Sequence, residues 1–554
     1  MVGGSTKRRL GADDRSNACQ TSIVQRAPAI IVLAVTSATL LGCPSTAPRP
    51  DASTPADALA LDSPWSHPDV SRDAVTDPRL HVTVRDAIRR EGLPCKLTIH
   101  GEDGTPTPDW GVQTEQIGEW LDRDNGALGI GRWVLLARGR ASILLPPGRY
   151  SLWVTRGAEY AQLSLGRVEL RADQGASVSG DLRRVVNTEG EVAGEFHVHS
   201  EPSFDSDVPI DQRVLSLAVE GIEVFASTDH DVGADFAPSI EALGLARFIH
   251  WMPGDEVTAD GVGHFGAYPL PPTLDPSTTL THDEPTVAGI IARARGVAPA
   301  AVIQLNHPLW DDRIGYWRFA GFDPTTGRAR SELFASFDAV EVWNSHTLDQ
   351  PVGSYVSPDG VIDAWMATLQ LARGATAMGN SDTHRLAHSP PGWPRTYLRV
   401  PNDDPAGVTD SMVADAIRAG DAMLSSGPFL RATIGGARPG AIVRAAGGDV
   451  TVHVEAQTTW APADVVEIVA NRRVVAMRAF DAPDVNGVRR QDWDVPVHLT
   501  RDAWIVVRTR SDAFVSDLAG THGRPLPSIA LVNPLYVDVD GDGRWSPPGI
   551  DGGP

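Results

Sequence analysis

The chain has 554 residues, of which 42% are apolar and 21% are charged, a balance typical of a folded protein rather than of a disordered one. Its formal net charge of −22 would repel a phosphate backbone, and no basic run interrupts the body of the chain, so the composition argues against a nucleic-acid partner. The length predicts about three to four domains.

The first 43 residues are typical of an export signal. Basic residues precede an apolar run at 29–41, which is shorter than the roughly 20 residues of a membrane span. The run ends at Leu40–Cys43, which resembles a bacterial lipobox. The resemblance implies cleavage before Cys43, lipid on its thiol and an exported protein anchored at the bacterial cell envelope. The alternative is an ordinary secretory signal with an incidental cysteine.

Residues 44–77 are rich in Pro, Ala, Ser and Asp and are predicted to be a flexible linker. The chain has three cysteines. Cys19 would leave with the signal and Cys43 would carry lipid, so Cys95 would have no partner for a disulfide. Any metal must then be held by His and carboxylate side chains.

Two regions read as β-sheet. At 78–188, short strands at regular spacing with Pro/Gly turns predict a small N-terminal β-sandwich, and 431–554 predicts a second β-sandwich with an acidic tail. In that tail, Asp538–Gly543 resembles the start of a calcium loop. An EF-hand would need Glu where Gly549 stands, and the alternative is an acidic turn.

Between these regions, residues 189–430 alternate strand and helix patterns. A strand at 192–199 precedes an amphipathic helix at 210–220 and a strand at 222–227, and further helices are predicted at 361–372 and 413–419. Such alternation favours a parallel sheet, most simply a barrel.

Titratable residues recur where these strands should end, which is where barrels carry functional groups. His197 and His199 stand two apart on a strand, so both imidazoles point to one face. The later residues are His230, Glu256, His264, His307, Asp382 and His384. Burying so many titratable groups at one mouth would cost several kcal/mol per charge without a cation. The pattern therefore predicts a polynuclear metal site.

The order HxH, TDH, GxE, NHP and SDTH resembles the PHP (polymerase and histidinol phosphatase) family of metal-dependent hydrolases, in its CehA/McbA-like branch. The motifs cover about 191–428. The resemblance implies an α/β fold, a distorted seven-stranded β/α barrel, flanked here by the two small β-sandwiches. It also implies two or three divalent ions, commonly zinc, manganese or iron.

The resemblance assigns the ligands residue by residue. The first ion would be held by His197, His199, Glu256 and Asp382. Glu256 would bridge to a second ion on His264 and His307, and Asp205, His230 and His384 would hold a third. Family members with three ions often have His at the position of Asp205.

The implied function is hydrolysis by a metal-bridged hydroxide, with a phosphoester as the family's usual substrate. The alternatives are hydrolysis of a carboxylic ester or carbamate at the same site, and a non-catalytic, metal-stabilised surface binding module. Asp382, His384 and His230 are the expected catalytic residues, with His384 or His230 moving the proton. Arg385 and Arg313 are candidates for binding an anionic small-molecule substrate, the alternative being solvated surface charges.

Overall fold

A computed structural model describes residues 79–111, 117–259, 261–272, 280, 286–311, 313–330, 337–345, 357–387, 389–515 and 525–554. They belong to one compact unit, Ser66–Pro554, and are mostly β, with 43% in strands and 14% in helices. Among them no helix is long and apolar enough to cross a membrane. The predicted export signal and linker lie outside the described residues, and the predicted boundaries near 188 and 430 stay predictions.

The N-terminal part forms two sheets that share one apolar core. Alternating burial along the first strand sends Leu80, Val82 and Val84 into that core, as expected for a strand with one wet face. The strands are β1 (Arg79–Asp86), β2 (Cys95–Glu102), β3 (Glu119–Asp122), β4 (Ala127–Ile130), β5 (Trp133–Leu136), β6 (Arg140–Leu144), β7 (Gly148–Thr155), β8 (Leu163–Leu170) and β9 (Ala176–Leu182). Their orders are β6-β1-β9 and β3-β4-β5-β2-β7-β8.

The middle part mixes strands and helices. In chain order these are β10 (Glu191–Glu195), α1 (Ile210–Val219), β11 (Val224–Ser227), α2 (Ala237–Leu243), β12 (His250–Pro253), β13 (Asp255–Ala259), β14 (Gly263–Tyr268), α3 (Val287–Val297), β15 (Val302–Leu305), α4 (Tyr316–Phe319), β16 (Ala339–Asn344), α5 (Pro358–Leu369), β17 (Thr376–Asn380), β18 (Arg395–Arg399), α6 (Asp410–Ala419) and β19 (Ala422–Ser425). Strands β10, β11 and β12 are parallel. Strands β13 to β17 form a separate five-stranded sheet in sequence order.

The C-terminal part contributes β20 (Phe429–Ile434), β21 (Ile442–Arg444), β22 (Asp449–Thr458), β23 (Val465–Ala470), β24 (Arg473–Ala479), β25 (Asp484–Val485), β26 (Val488–His498), β27 (Ala503–Arg510), β28 (Phe514–Val515), β29 (Leu526–Pro527) and β30 (Ala530–Asp538). Strands β30, β27, β23 and β24 extend the sheet that contains β10. The C-terminal strands are therefore joined to the middle part by a continuous ladder.

The predicted closed barrel flanked by two small sandwiches is wrong. Within the described ranges all sheets are open, and the barrel strands are divided between a ten-stranded and a five-stranded sheet. Two pairings divert the sheet. Strand β10 pairs on one edge with β11 and on its other edge with antiparallel β18, so it does not close a barrel. Strand β13 pairs with the next strand, β14, in an antiparallel direction.

The break between the sheets falls at Gly254, between β12 and β13. A Cβ there would lie 2.7 Å from the carbonyl oxygen of Ser227, so only glycine fits this close approach. Isolated bridges between Val198 and Thr383, and between His230 and Glu256, link the two sheets. Those bridges lie among the predicted ligands.

Local chemistry explains the helix ends. In α5, Pro358 follows the N-cap Ser357, whose hydroxyl accepts a hydrogen bond from Gly360. In α6, Thr409 caps the start and Gly420, with φ of 76°, ends the helix, which is the usual pairing of a hydroxyl N-cap and a left-handed glycine.

Candidate metal centre

Nine side chains from the two sheets form four overlapping groups, in each of which one ligand atom per residue lies within 4.8 Å of the others. The groups are, first, His197, His199 and Asp382; second, His197, Glu256 and His307; third, His199, Asp205, His230 and His384; and fourth, His230, Glu256 and His264. All nine are residues that the sequence predicts as ligands, so the fold brings the predicted set together. Groups of this kind can hold metal ions.

The first group begins just after β10. His197 and His199 stand two apart, and their ring centroids lie 5.1 Å apart. Phe196 and Val198 are fully buried in two apolar clusters. The alternation of extended chain therefore directs both imidazoles to the side of the candidate ligands.

Two carboxylates meet these imidazoles. The Nε2 atoms of His197 and His199 both lie 3.1 Å from Oδ1 of Asp382, and they lie 3.1 and 3.2 Å from Oε2 of Glu256. Four side chains thus converge on one small volume, as the ligands of a single ion do.

The carboxylates around His197 favour a positive charge on that imidazole. Burial disfavours the charged form of His197, but Asp382, Glu256 and Glu341 outweigh it and raise its pKa well above the ordinary value. Burial likewise opposes ionisation of Glu256, yet the surrounding histidines hold the pKa of that carboxyl well below its usual range. A proton on Nε2 of His197 occupies the lone pair that a metal ion would use.

Glu256 also faces the second pair of histidines. Its Oε1 lies 3.2 Å from Nε2 of His307 and 3.3 Å from Nδ1 of His264, and it accepts a hydrogen bond from Nδ2 of Asn306 at 2.9 Å. Since Oε2 faces the first group, the two oxygens of one carboxylate point to two groups. A bridging role for Glu256 is what the family resemblance implies.

The third group lies nearer the surface. Oδ2 of Asp205 is 3.0 Å from Nε2 of His384 and 3.2 Å from Nε2 of His230. Nδ1 of His384 donates to the carbonyl oxygen of Asp382 at 2.9 Å, and Nδ1 of His230 pairs with the hydroxyl of Thr258 at 2.7 Å. Because each Nδ1 is engaged, each Nε2 is directed at Asp205.

Several buried ligand atoms have no hydrogen-bond partner among the described residues. They are Nε2 of His197, Nε2 of His199, Oε2 of Glu256, both nitrogens of His264 and Nδ1 of His307. Buried polar atoms are normally paired, and leaving one unpaired costs about 1–3 kcal/mol. Lone-pair atoms that face one another across such a volume fit a set of divalent cations.

Two of the candidate ligands have left-handed backbones. His307 has φ of 23° and Asp382 has φ of 52°, a region that residues other than glycine seldom adopt. Such residues cost on the order of 1–3 kcal/mol and persist where the surroundings fix them. The fold therefore holds both ligands in strained positions.

Sequence reasoning missed the role of Glu341, a fully buried carboxylate on β16. Its Oε1 lies 2.9 Å from Nδ1 of His197, and its Oε2 accepts from the backbone N–H of His307 at 2.8 Å. Carboxylates that bind the far nitrogen of a ligand histidine fix its tautomer. The available signal was a single acid within the apolar run Ala339–Trp343.

It also missed Arg213, which is fully buried on α1. Its guanidinium donates to the carbonyl oxygens of His199 at 2.7 Å and Thr383 at 3.1 Å. Thr383 lies between Asp382 and His384, so Arg213 ties the loops of both sheets together. The signal was the single basic residue in the amphipathic helix predicted at 210–220.

The predicted substrate-binding arginines lie apart from the nine ligands. Arg385 is exposed and directly follows His384. Arg313 is also exposed, and its guanidinium lies 3.6 Å from the carboxylate of Asp311. His250 pairs with Asp410 at 2.8 Å and is remote from the groups, whereas Cys43, His282, His346 and His388 lie outside the described residues.

The sequence matches no model of a known protein family and no curated protein. A crystal structure of an engineered protein is similar to this chain with 13% identity and a TM-score of 0.13, over 59% of this chain and 52% of its own. At that TM-score the likeness carries no argument about fold or function.

Proposed function

We propose that this protein is a metal-dependent hydrolase and that its nine candidate ligands are the ligand set of the PHP family. One observation carries the proposal most. The Glu256 carboxylate lies within 3.3 Å of five imidazoles while being almost fully buried. A structural polar network would pair these atoms with donors, whereas here several lone pairs face one another.

Divalent ions, when bound, supply an activated water and polarise the electrophilic centre of an ester. We propose a phosphoester as substrate, with a carboxylic ester or carbamate as the alternative at the same site. His384 or His230 is the proposed proton carrier, at an Nε2 atom that can hold a proton only while no ion is bound to it, and Oδ2 of Asp205 lies beside both Nε2 atoms. Oδ1 of Asp382, between His197 and His199, keeps those imidazoles in position.

Arg385 is the better of the two candidates for binding the anionic part of the substrate. It follows His384 directly and is exposed, whereas Arg313 already faces Asp311. A guanidinium binds a phosphoryl or carboxyl group through two parallel hydrogen bonds. Arg385→Met is therefore expected to raise KM for the anionic ester nitrophenyl phosphate more than for the neutral ester nitrophenyl acetate.

The test is metal analysis and turnover on the purified protein. We expect bound zinc, manganese or iron, and hydrolysis of at least one of nitrophenyl phosphate, bis(nitrophenyl) phosphate and nitrophenyl acetate. His197→Ala should abolish both metal and turnover, and His250→Ala is the matched control. A protein that binds metal but hydrolyses none of these esters with any of the three metals would refute the enzyme and favour a non-catalytic surface module.

We also propose that the protein is exported and anchored to the cell envelope through lipid on Cys43. The proposal rests on the Leu40–Cys43 motif at the end of the apolar run. Mass spectrometry of the mature N-terminus decides it. A mature chain that begins elsewhere, or an unmodified Cys43, would refute the anchor.

A further inference from the structure

The four groups of candidate ligands differ in how deeply they are buried. The side chains of His197, His199 and Glu256 are 0–1% exposed, whereas Asp205 is 31% exposed and His384 is 13% exposed. The third group is thus the one that solvent reaches. Water competes for its ligand atoms, and the field of its carboxylate is screened.

The third group shares His199 with the first group and His230 with the group of Glu256 and His264. His199 is a member, but its Nε2 lies 3.1 Å from Asp382 in the first group. That leaves Asp205, His230 and His384 as ligands that the third group does not share with the first. Among them Asp205 alone carries negative charge, so it supplies most of the attraction for a cation.

Asp205 lies on the loop between β10 and α1, and among the described residues one hydrogen bond holds it there besides its contacts with the two histidines. The hydroxyl of Ser203 donates to its Oδ1 at 2.8 Å. Its neighbour Phe204 is 78% exposed. The one charged ligand of the group therefore lies on a solvent-facing loop. The two histidines that it contacts are oriented through their Nδ1 atoms, His384 by the carbonyl oxygen of Asp382 and His230 by the hydroxyl of Thr258.

We propose that His199, Asp205, His230 and His384 form an exchangeable metal site, which binds its ion more weakly than the buried groups because its charged ligand stands at the surface. The inference rests on the proposed metal function and adds a regulatory property to it. The buried ions would stay with the protein, while the third ion would follow the free metal concentration. Activity would then respond to metal supply without loss of the fold.

The test is a titration of metal-free, full-length protein with zinc chloride, followed by calorimetry and by metal analysis after dialysis. We expect two classes of site, of which the weaker class empties on dialysis. Asp205→Asn should weaken only that class, by about 10- to 100-fold. Asp205→His, which replaces the screened carboxylate by a fourth imidazole, should make the third ion survive dialysis. Asp207→Asn, an exposed carboxylate on the same loop, is the matched control and should change neither class.

The outcomes separate the two proposals. Two or three ions bound in one class of equal affinity would overturn the exchangeable site and leave the metal function standing. A loss of the tight class in Asp205→Asn would also overturn it. Absence of zinc binding in the unaltered protein, with manganese and iron also failing to bind, would overturn the proposed function itself.

Discussion

Replacing Glu341 by glutamine tests whether this buried carboxylate sets the tautomer of His197. Its Oε1 faces Nδ1 of His197 at 2.9 Å and Nδ2 of Asn380 at 3.2 Å. Its Oε2 faces the backbone N–H of His307 at 2.8 Å and Nδ2 of Asn344 at 3.0 Å. All four neighbours can donate to a carboxylate.

A glutamine amide cannot satisfy this arrangement in either orientation. If its NH2 group replaces Oε2, it meets two donors, from His307 and Asn344. If the NH2 group replaces Oε1, it donates to Nδ1 of His197 and moves the ring proton to Nε2. That atom faces Glu256 and Asp382, and once it carries the proton it has no free lone pair with which to bind a metal ion.

We therefore expect Glu341→Gln to weaken zinc binding by about 10- to 100-fold, which corresponds to about 1.4–2.7 kcal/mol. Competition with a chromophoric chelator measures the affinity, and long-range ¹H–¹⁵N NMR of labelled histidine reports the tautomer of His197. Glu467→Gln is the control, because Glu467 is a buried acid that pairs with Arg508 at 2.8 Å away from the site. Unchanged zinc affinity, with the proton still on Nδ1, would refute this reasoning.

Three further predictions concern the folded body. Burial raises the pKa of the Cys95 thiol from 9.0 to about 12, so the contribution of the neutral thiol to stability is present below pH 9 and is lost as pH rises towards 12. Alkylation of Cys95 at pH 9, measured by mass spectrometry, should therefore require unfolding. Rapid labelling of the folded protein would contradict this. Lys96→Met should cost about 3–5 kcal/mol in a urea melt, because the amine pairs with buried Glu220 at 2.5 Å, and adding Glu220→Gln should recover much of the loss. Gly448→Ala should lower the melting temperature far more than Gly447→Ala, because a Cβ at Gly448 would overlap the carbonyl oxygen of Leu499, whereas one at Gly447 meets nothing within 4 Å; equal effects would contradict the clash.

Much of the local structure follows from the sequence. The helix predicted at 210–220 is observed at Ile210–Val219, and the helix predicted at 361–372 is observed at Pro358–Leu369. Their apolar spacing and caps act within a few residues, so they are readable without tertiary information. Eight of the nine candidate ligands were found in the same way, because each follows or lies within a short predicted strand, whereas Asp205 was implied only by the family resemblance.

The closure of the sheet could not be predicted, because it depends on pairing between distant segments. Met423 on β19 pairs with Val532 on β30, and Gly194 on β10 pairs with Thr396 on β18. Strand patterns alone do not choose a partner or a direction. Alternation of strand and helix favoured a barrel, whereas antiparallel β14 and β18 divert the chain into two open sheets.

The position of β30 has a consequence for the order in which the protein can be made. This strand follows all the other strands of its sheet in the chain, yet it lies in the middle of that ten-stranded sheet, between β19 and β27. Until residues 530–538 have left the ribosome, both neighbouring strands present open edges, which invite aggregation. The sheet that carries His197 and His199 is therefore incomplete until β30 has been made, and a chain that stops before residue 530 exposes those edges to chaperones and proteases.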